Sequence, residues 1–254
     1  MDELDAATLL FLTGAGFVAA FIDSVVGGGG LISLPALLLT GVPPGLALGT
    51  NKLSGTMSSL TSTISYMLSG KVNYRLVSWL FPLALAGSVI GTYAITRIPP
   101  NFLKPLVICL LVVVGLYTVL KKSWGSHSTY LGLNRYTAFA SGAAALIIGC
   151  YDGFFGPGTG SFLIFAFLFL GFDFVTASGN AKVLNLASNI GSLGLFMWLG
   201  NVNFHYGIPM GLAMIAGALT GSQLAIRKGT AYVKPLFLVV TALLIGKQVW
   251  DLLR

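Results

Sequence analysis

Four ionisable side chains stand in stretches of this chain that are otherwise almost wholly apolar: Asp23 and Lys52 in the first half, Asp152 and Lys182 in the second. A glycine-rich run separates the aspartate from the lysine in each case. Residues 21–52 read FIDSVVGGGGLISLPALLLTGVPPGLALGTNK, and residues 150–182 read CYDGFFGPGTGSFLIFAFLFLGFDFVTASGNAK. A charge near the middle of a bilayer costs about 2.5–3.5 kcal/mol on insertion scales, so such residues are seldom idle. The chemistry they could do together is anion binding. A helix that starts at a glycine run offers unpaired backbone N–H groups and the positive end of its dipole, and a lysine supplies countercharge. The candidate ligands are Gly28, Gly29, Gly30, Thr50, Asn51 and Lys52 from the first stretch, with Gly158, Thr159, Gly160, Ser161, Asn180 and Lys182 from the second. Asp23 and Asp152 are candidates for proton uptake. Plainer uses compete: each aspartate could pair with a lysine and lock segments together, the lysines could snorkel to the interface, and the glycines could serve only close helix packing.

The elements that must position these residues are membrane segments. Of the 254 residues 56% are hydrophobic and only 8% charged, and the mean hydropathy is +0.89, which is beyond a soluble domain and places the chain among polytopic membrane proteins. The net charge of +7 comes from basic residues scattered singly or in pairs between apolar segments, so it marks topology and not a nucleic-acid surface. Cys109 and Cys150 lie in apolar runs without metal-ligand spacing and read as small buried hydrophobes. Asp2, Glu3 and Asp5 precede the first apolar segment, where a cleavable signal peptide would carry positive charge, so that segment is expected to be retained.

In order, the segments fall near residues 6–24, 31–40, 45–68, 74–96 and 101–120, then 136–152, 161–171, 175–199, 204–226 and 232–253, with a polar connector at 121–130. The segments at 31–40 and 161–171 are too short to cross about 30 Å of hydrocarbon at roughly 1.5 Å per residue. They read as broken or re-entrant helices that begin at the glycine runs.

The chain is written twice. Gly70-Lys71-Val72-Asn73-Tyr74 matches Gly200-Asn201-Val202-Asn203-Phe204, Lys104-Pro105-Leu106 matches Lys234-Pro235-Leu236, and Lys52 matches Lys182, all at an offset of 130, while Asp23 and Asp152 lie 129 apart. One residue is therefore inserted in the second glycine loop. These matches predict an all-α protein of two repeats, residues 1–122 and 135–254, joined by residues 123–134. If each half crosses the membrane an odd number of times, one side gathers Lys71, Arg75, Lys121, Lys122, Arg135, Arg227, Lys228 and Lys234, and the other keeps Arg97, Lys104 and Arg254. An even count gives no such bias, so the positive-inside rule favours inverted repeats with both termini outside.

Catalysis finds no footing. His127 and His205 are isolated in connectors, no His, Cys or carboxylate cluster has metal spacing, and neither glycine run ends as a P-loop does. No cofactor is expected.

The motifs FIDSVVGGGGLISLPAL with the following ALGTNKLSG, and YDGFFGPGTGSF with the following AKVLNLASNIG, resemble the TauE/SafE family of bacterial membrane proteins, the sulfite exporters and their relatives. The resemblance covers nearly the whole chain. It implies secondary transport of sulfite, thiosulfate or sulfonates such as sulfoacetate across the cytoplasmic membrane, mostly as export. Carried over by position, it places the elements 27–30, 50–52, 156–161 and 180–185 around a central site, which adds Asn185 to the candidate ligands. The expected mechanism is alternating access about an oxyanion held by Lys52, Lys182 and the glycine-loop amides. The alternatives are an anion channel and a proton or cation carrier that uses the aspartates. The expected partners are the anion and membrane lipids; oligomeric state is open.

Overall fold

The computed structural model describes residues 6–97, 125 and 127–253. All regular structure among them is helical: α1 (Ala6–Val26), α2 (Gly30–Leu39), α3 (Pro44–Leu68), α4 (Tyr74–Ile95), α5 (Arg135–Phe154), α6 (Thr159–Phe169), α7 (Phe174–Trp198), α8 (Phe204–Lys228) and α9 (Thr230–Leu253). The expected segment at 101–120, with Lys104 and Cys109, lies outside the described residues.

Local chemistry explains the breaks. The repeated Gly-x-Val-Asn motif ends one helix and starts the next: Gly70 and Gly200 both adopt φ +70° after α3 and α7, and the Asn73 and Asn203 side chains accept the Leu76 and Tyr206 N–H groups at the starts of α4 and α8. A left-handed glycine followed by an asparagine N-cap is the expected grammar for such a corner. The short helices α2 and α6 have 10 and 11 residues, about 15–17 Å at 1.5 Å per residue, and cannot span a bilayer.

Four of the described helices, α1, α4, α5 and α8, are long and apolar enough to cross a membrane. Helices α3 and α7 have 25 residues each but carry the hydroxyls, amides and lysines. They pack on one another at the centre, while α1 and α3 pack on α8, and α5 and α7 on α4. Exchanging the halves leaves this pattern unchanged, since the first helix of each half packs against the fourth helix of the other. Glycines set those crossings in matching fashion. A Cβ on Gly217 would lie 2.2 Å from the Phe17 carbonyl oxygen, and one on Gly87 2.2 Å from that of Leu146; the four residues correspond across the halves. Only glycine permits backbones this close, the small-residue packing typical of membrane helices. Large apolar side chains such as Leu10, Ile90, Phe139, Phe169 and Leu212 point outward, as a lipid-facing surface requires.

Candidate functional site

The two glycine loops meet. Helix α1 ends at Val26 and α2 begins at Gly30; α5 ends at Phe154 and α6 begins at Thr159. Gly27 has φ +77°, and a Cβ there would fall 2.2 Å from the Ser161 backbone nitrogen. Both the left-handed conformation and the contact exclude any side chain at this position. Ser161 closes the joint by donating its hydroxyl hydrogen to the Val26 carbonyl at 3.0 Å. The start of α6 thus packs on the loop that precedes α2, at the boundary between the halves.

Beside this joint, Asp23 and Asp152 stand in the last turns of α1 and α5, and each lysine is the ninth residue of its helix, Lys52 of α3 and Lys182 of α7. The ion pairs cross between the halves. Lys182 Nζ lies 2.6 Å from Asp23 Oδ2, and Lys52 Nζ lies 2.9 Å from Asp152 Oδ1. Lys182 is wholly buried, and Lys52 and Asp152 are 4% and 2% exposed. The free oxygens are satisfied differently. Asp23 Oδ1 accepts the Gly29 backbone N–H at 3.0 Å, whereas Asp152 Oδ2 accepts the Ser188 hydroxyl.

A cavity of about 40 Å³ opens here. A single water needs roughly 10–15 Å³ on this measure, so the space fits a few waters or one compact anion. Its wall includes Asp23, Gly28, Gly29, Gly30, Asn51, Lys52, Asp152, Gly158, Thr159, Gly160 and Asn185, all expected from the sequence. The Lys52 ammonium nitrogen lies 3.2 Å from where a Gly156 Cβ would be, so only a glycine leaves it this close to the loop.

Four candidates do not reach that wall. Thr50 Oγ1 accepts the Asn203 backbone N–H at 2.9 Å, and Asn180 Oδ1 accepts that of Asn73 at 2.7 Å. These polar side chains hold the corner before the neighbouring helix instead of flanking the lysines. Ser161 is spent on the loop joint, and the Lys182 ammonium is sealed against Asp23. Nor are the lysines free cations awaiting an anion, since each already faces a carboxylate. The wall also contains Ser33, Gly55, Ser58, Gly156, Asn189 and Met214. Ser58, Gly55 and Asn189 could have been found by following the face of α3 and α7 on from Lys52 and Lys182 in steps of three and four residues. Among the described residues no group of three or more His, Cys, Asp or Glu could hold a metal ion.

A helical, multi-pass assembly with buried ion pairs around a small polar cavity at the junction of two similar halves is the construction of a membrane transporter. The chain belongs to the sulfite exporter TauE/SafE family, which it matches over residues 12–247. It is 40% identical over 243 residues to "Probable membrane transporter protein ORF9" of Sinorhizobium sp, covering 95% of this chain and 92% of that one. It is 36% identical to a "Probable membrane transporter protein" of Haemophilus influenzae, covering 98% and 96%. With "Probable membrane transporter protein YfcA" of Escherichia coli K12 it shares 35% identity, over 92% and 87%. No solved structure matches it. The protein is a multi-pass membrane transporter and not an enzyme, and its family implies a small-molecule substrate.

Proposed function

We propose that this transporter moves sulfite or a related small sulfur oxyanion, thiosulfate or a compact sulfonate, out across the bacterial cytoplasmic membrane by alternating access. The two halves, residues 1–122 and 135–254, are read as inverted repeats with both termini outside, moving about the cavity between them. One observation carries the reading: the glycine loops that begin two half-length helices and the Lys52 ammonium line the same cavity of about 40 Å³. Backbone N–H groups at helix starts and an ammonium suit a compact oxyanion. The family's name supplies the sulfur.

Charge balance adds a condition. The two pairs hold two ammoniums and two carboxylates, so the site is neutral when both are ionised, and an entering anion meets Asp23 and Asp152 on the wall. Protonation of one carboxyl for a monoanion, or of both for a dianion, would restore the balance, which couples transport to protons. In proteoliposomes the wild type should carry sulfite faster when a pH gradient is imposed, and Lys52→Gln should lose at least nine-tenths of that flux while keeping its elution profile on size exclusion. Retained flux in Lys52→Gln rejects the site; flux indifferent to the gradient rejects the coupling.

The two wall carboxylates favour one second reading, a proton or cation carrier in which they bind the substrate and the lysines are partners. Competition of a cation panel against sulfite decides between them.

A further inference from the structure

The internal repeat allows each group in the site to be compared with its counterpart. Ser58 on α3 corresponds to Ser188 on α7, 130 residues on. Both are 1% exposed. Ser188 donates its hydroxyl hydrogen to Asp152. Among the described residues Ser58 Oγ has no hydrogen-bond partner although it lines the cavity, and Asp23, the counterpart of Asp152, pairs instead with the Gly29 N–H and Lys182. A buried hydroxyl without a partner costs roughly 1–3 kcal/mol, and native proteins seldom leave one without reason. Among the described residues the same imbalance recurs at the position just before Lys52. Asn51 lines the cavity with its buried side-chain oxygen unpartnered, and its counterpart is Ala181, which has no polar side chain to offer.

We infer that Ser58 is a substrate ligand that sets specificity, its free hydroxyl donating to an oxygen of the bound oxyanion while Lys52 faces the same anion. The inference rests on the proposed anion site and goes beyond it by seating the substrate against α3, not midway between the halves. A hydroxyl is also the right donor for selection. It adds no charge to a site that already has two carboxylates on its wall, and it rewards an acceptor oxygen at one position, where an ammonium attracts any anion.

The test is binding of radiolabelled sulfite to the full chain in detergent. Ser58→Ala should bind about 10-fold more weakly or worse, as expected for a lost hydrogen bond to a charged acceptor. Ser58→Cys, with a weaker donor of similar shape, should fall between the two. Ser62→Ala is the control, since the Ser62 hydroxyl donates to the Ser58 backbone carbonyl at 3.0 Å and is absent from the cavity wall; its affinity should match the wild type. Bromide, used as a competitor, should displace sulfite more readily from Ser58→Ala than from the wild type, a shift that a purely structural role would not produce. Absence of sulfite binding by the wild type would defeat the proposed function itself. Wild-type binding with Ser58→Ala within threefold of it, or equal losses in Ser58→Ala and Ser62→Ala, would overturn the role of Ser58 and leave that reading standing.

Discussion

The Asp23–Lys182 and Lys52–Asp152 pairs occupy corresponding places in the two halves, yet they meet the cavity differently: only the aspartate of the first lines it, whereas both partners of the second do. Lys182 has no exposed surface and does not line the cavity, whereas Lys52 does. Their supporting helices differ in the same sense: 18 of the 25 residues of α7 are buried against 10 of the 25 in α3, so α7 is the enclosed member of the central pair. Corresponding residues thus leave one lysine enclosed behind its aspartate and the other on the cavity wall. Similar residues take different roles because the same charge costs more, and moves less freely, where no water can reach it.

The strongest way to break this comparison is to remove each carboxylate in turn. Asp23→Asn leaves Lys182 buried without a counter-ion and should destabilise the protein by about 3–5 kcal/mol. Asp152→Asn leaves Lys52 at the cavity wall, where water can enter, and should cost clearly less. Thermal unfolding in detergent reads the difference, and an equal or reversed order would remove the distinction between the pairs. The loops offer the next test. Gly27→Ala combines φ +77° with a Cβ 2.2 Å from the Ser161 nitrogen, while Gly158→Ala has φ +89° but nothing nearer than 3.7 Å. The second should cost only the left-handed strain of about 1–2 kcal/mol, and the first markedly more, again by thermal unfolding. The smallest effect sharpens the comparison along α3. A Cβ on Gly55 would meet Asn189 at an ordinary 3.5 Å, so Gly55→Ala should leave stability the same or raise it by up to about 1 kcal/mol through helix propensity. It would also narrow the cavity, and sulfite flux should fall while the melting temperature holds.

Much of this arrangement was legible in the residues. The short helices announced themselves because ten apolar residues cannot bridge a bilayer, and the glycine loops because nothing else breaks a membrane helix so abruptly. The cavity wall at Gly28, Gly29, Gly30, Asn51, Lys52, Gly158, Thr159, Gly160 and Asn185 lies among residues marked by type and spacing. Thr50 and Asn180 lie off that wall for a physical reason: a polar side chain near a buried lysine looks like part of its shell, but a hydrogen bond goes to whichever donor the fold brings across, here the backbone at Asn203 and Asn73. The face of α3 that holds Ser58 was legible from the spacing of Lys52, Gly55 and Ser58, but its unpartnered hydroxyl was not, since most serines and threonines of this helix bond back to carbonyls of their own helix.

Sequence by itself determined the membrane class, the broken helices and the ionisable residues set in apolar stretches, because hydropathy, helix length and glycine geometry are local properties of the chain. Only the tertiary structure decided that each aspartate pairs with the lysine of the other half, across separations of 100 and 159 residues, and which lysine faces the cavity. Pairing and exposure depend on what packs alongside, and in a duplicated chain two equal motifs can be told apart only by their neighbours.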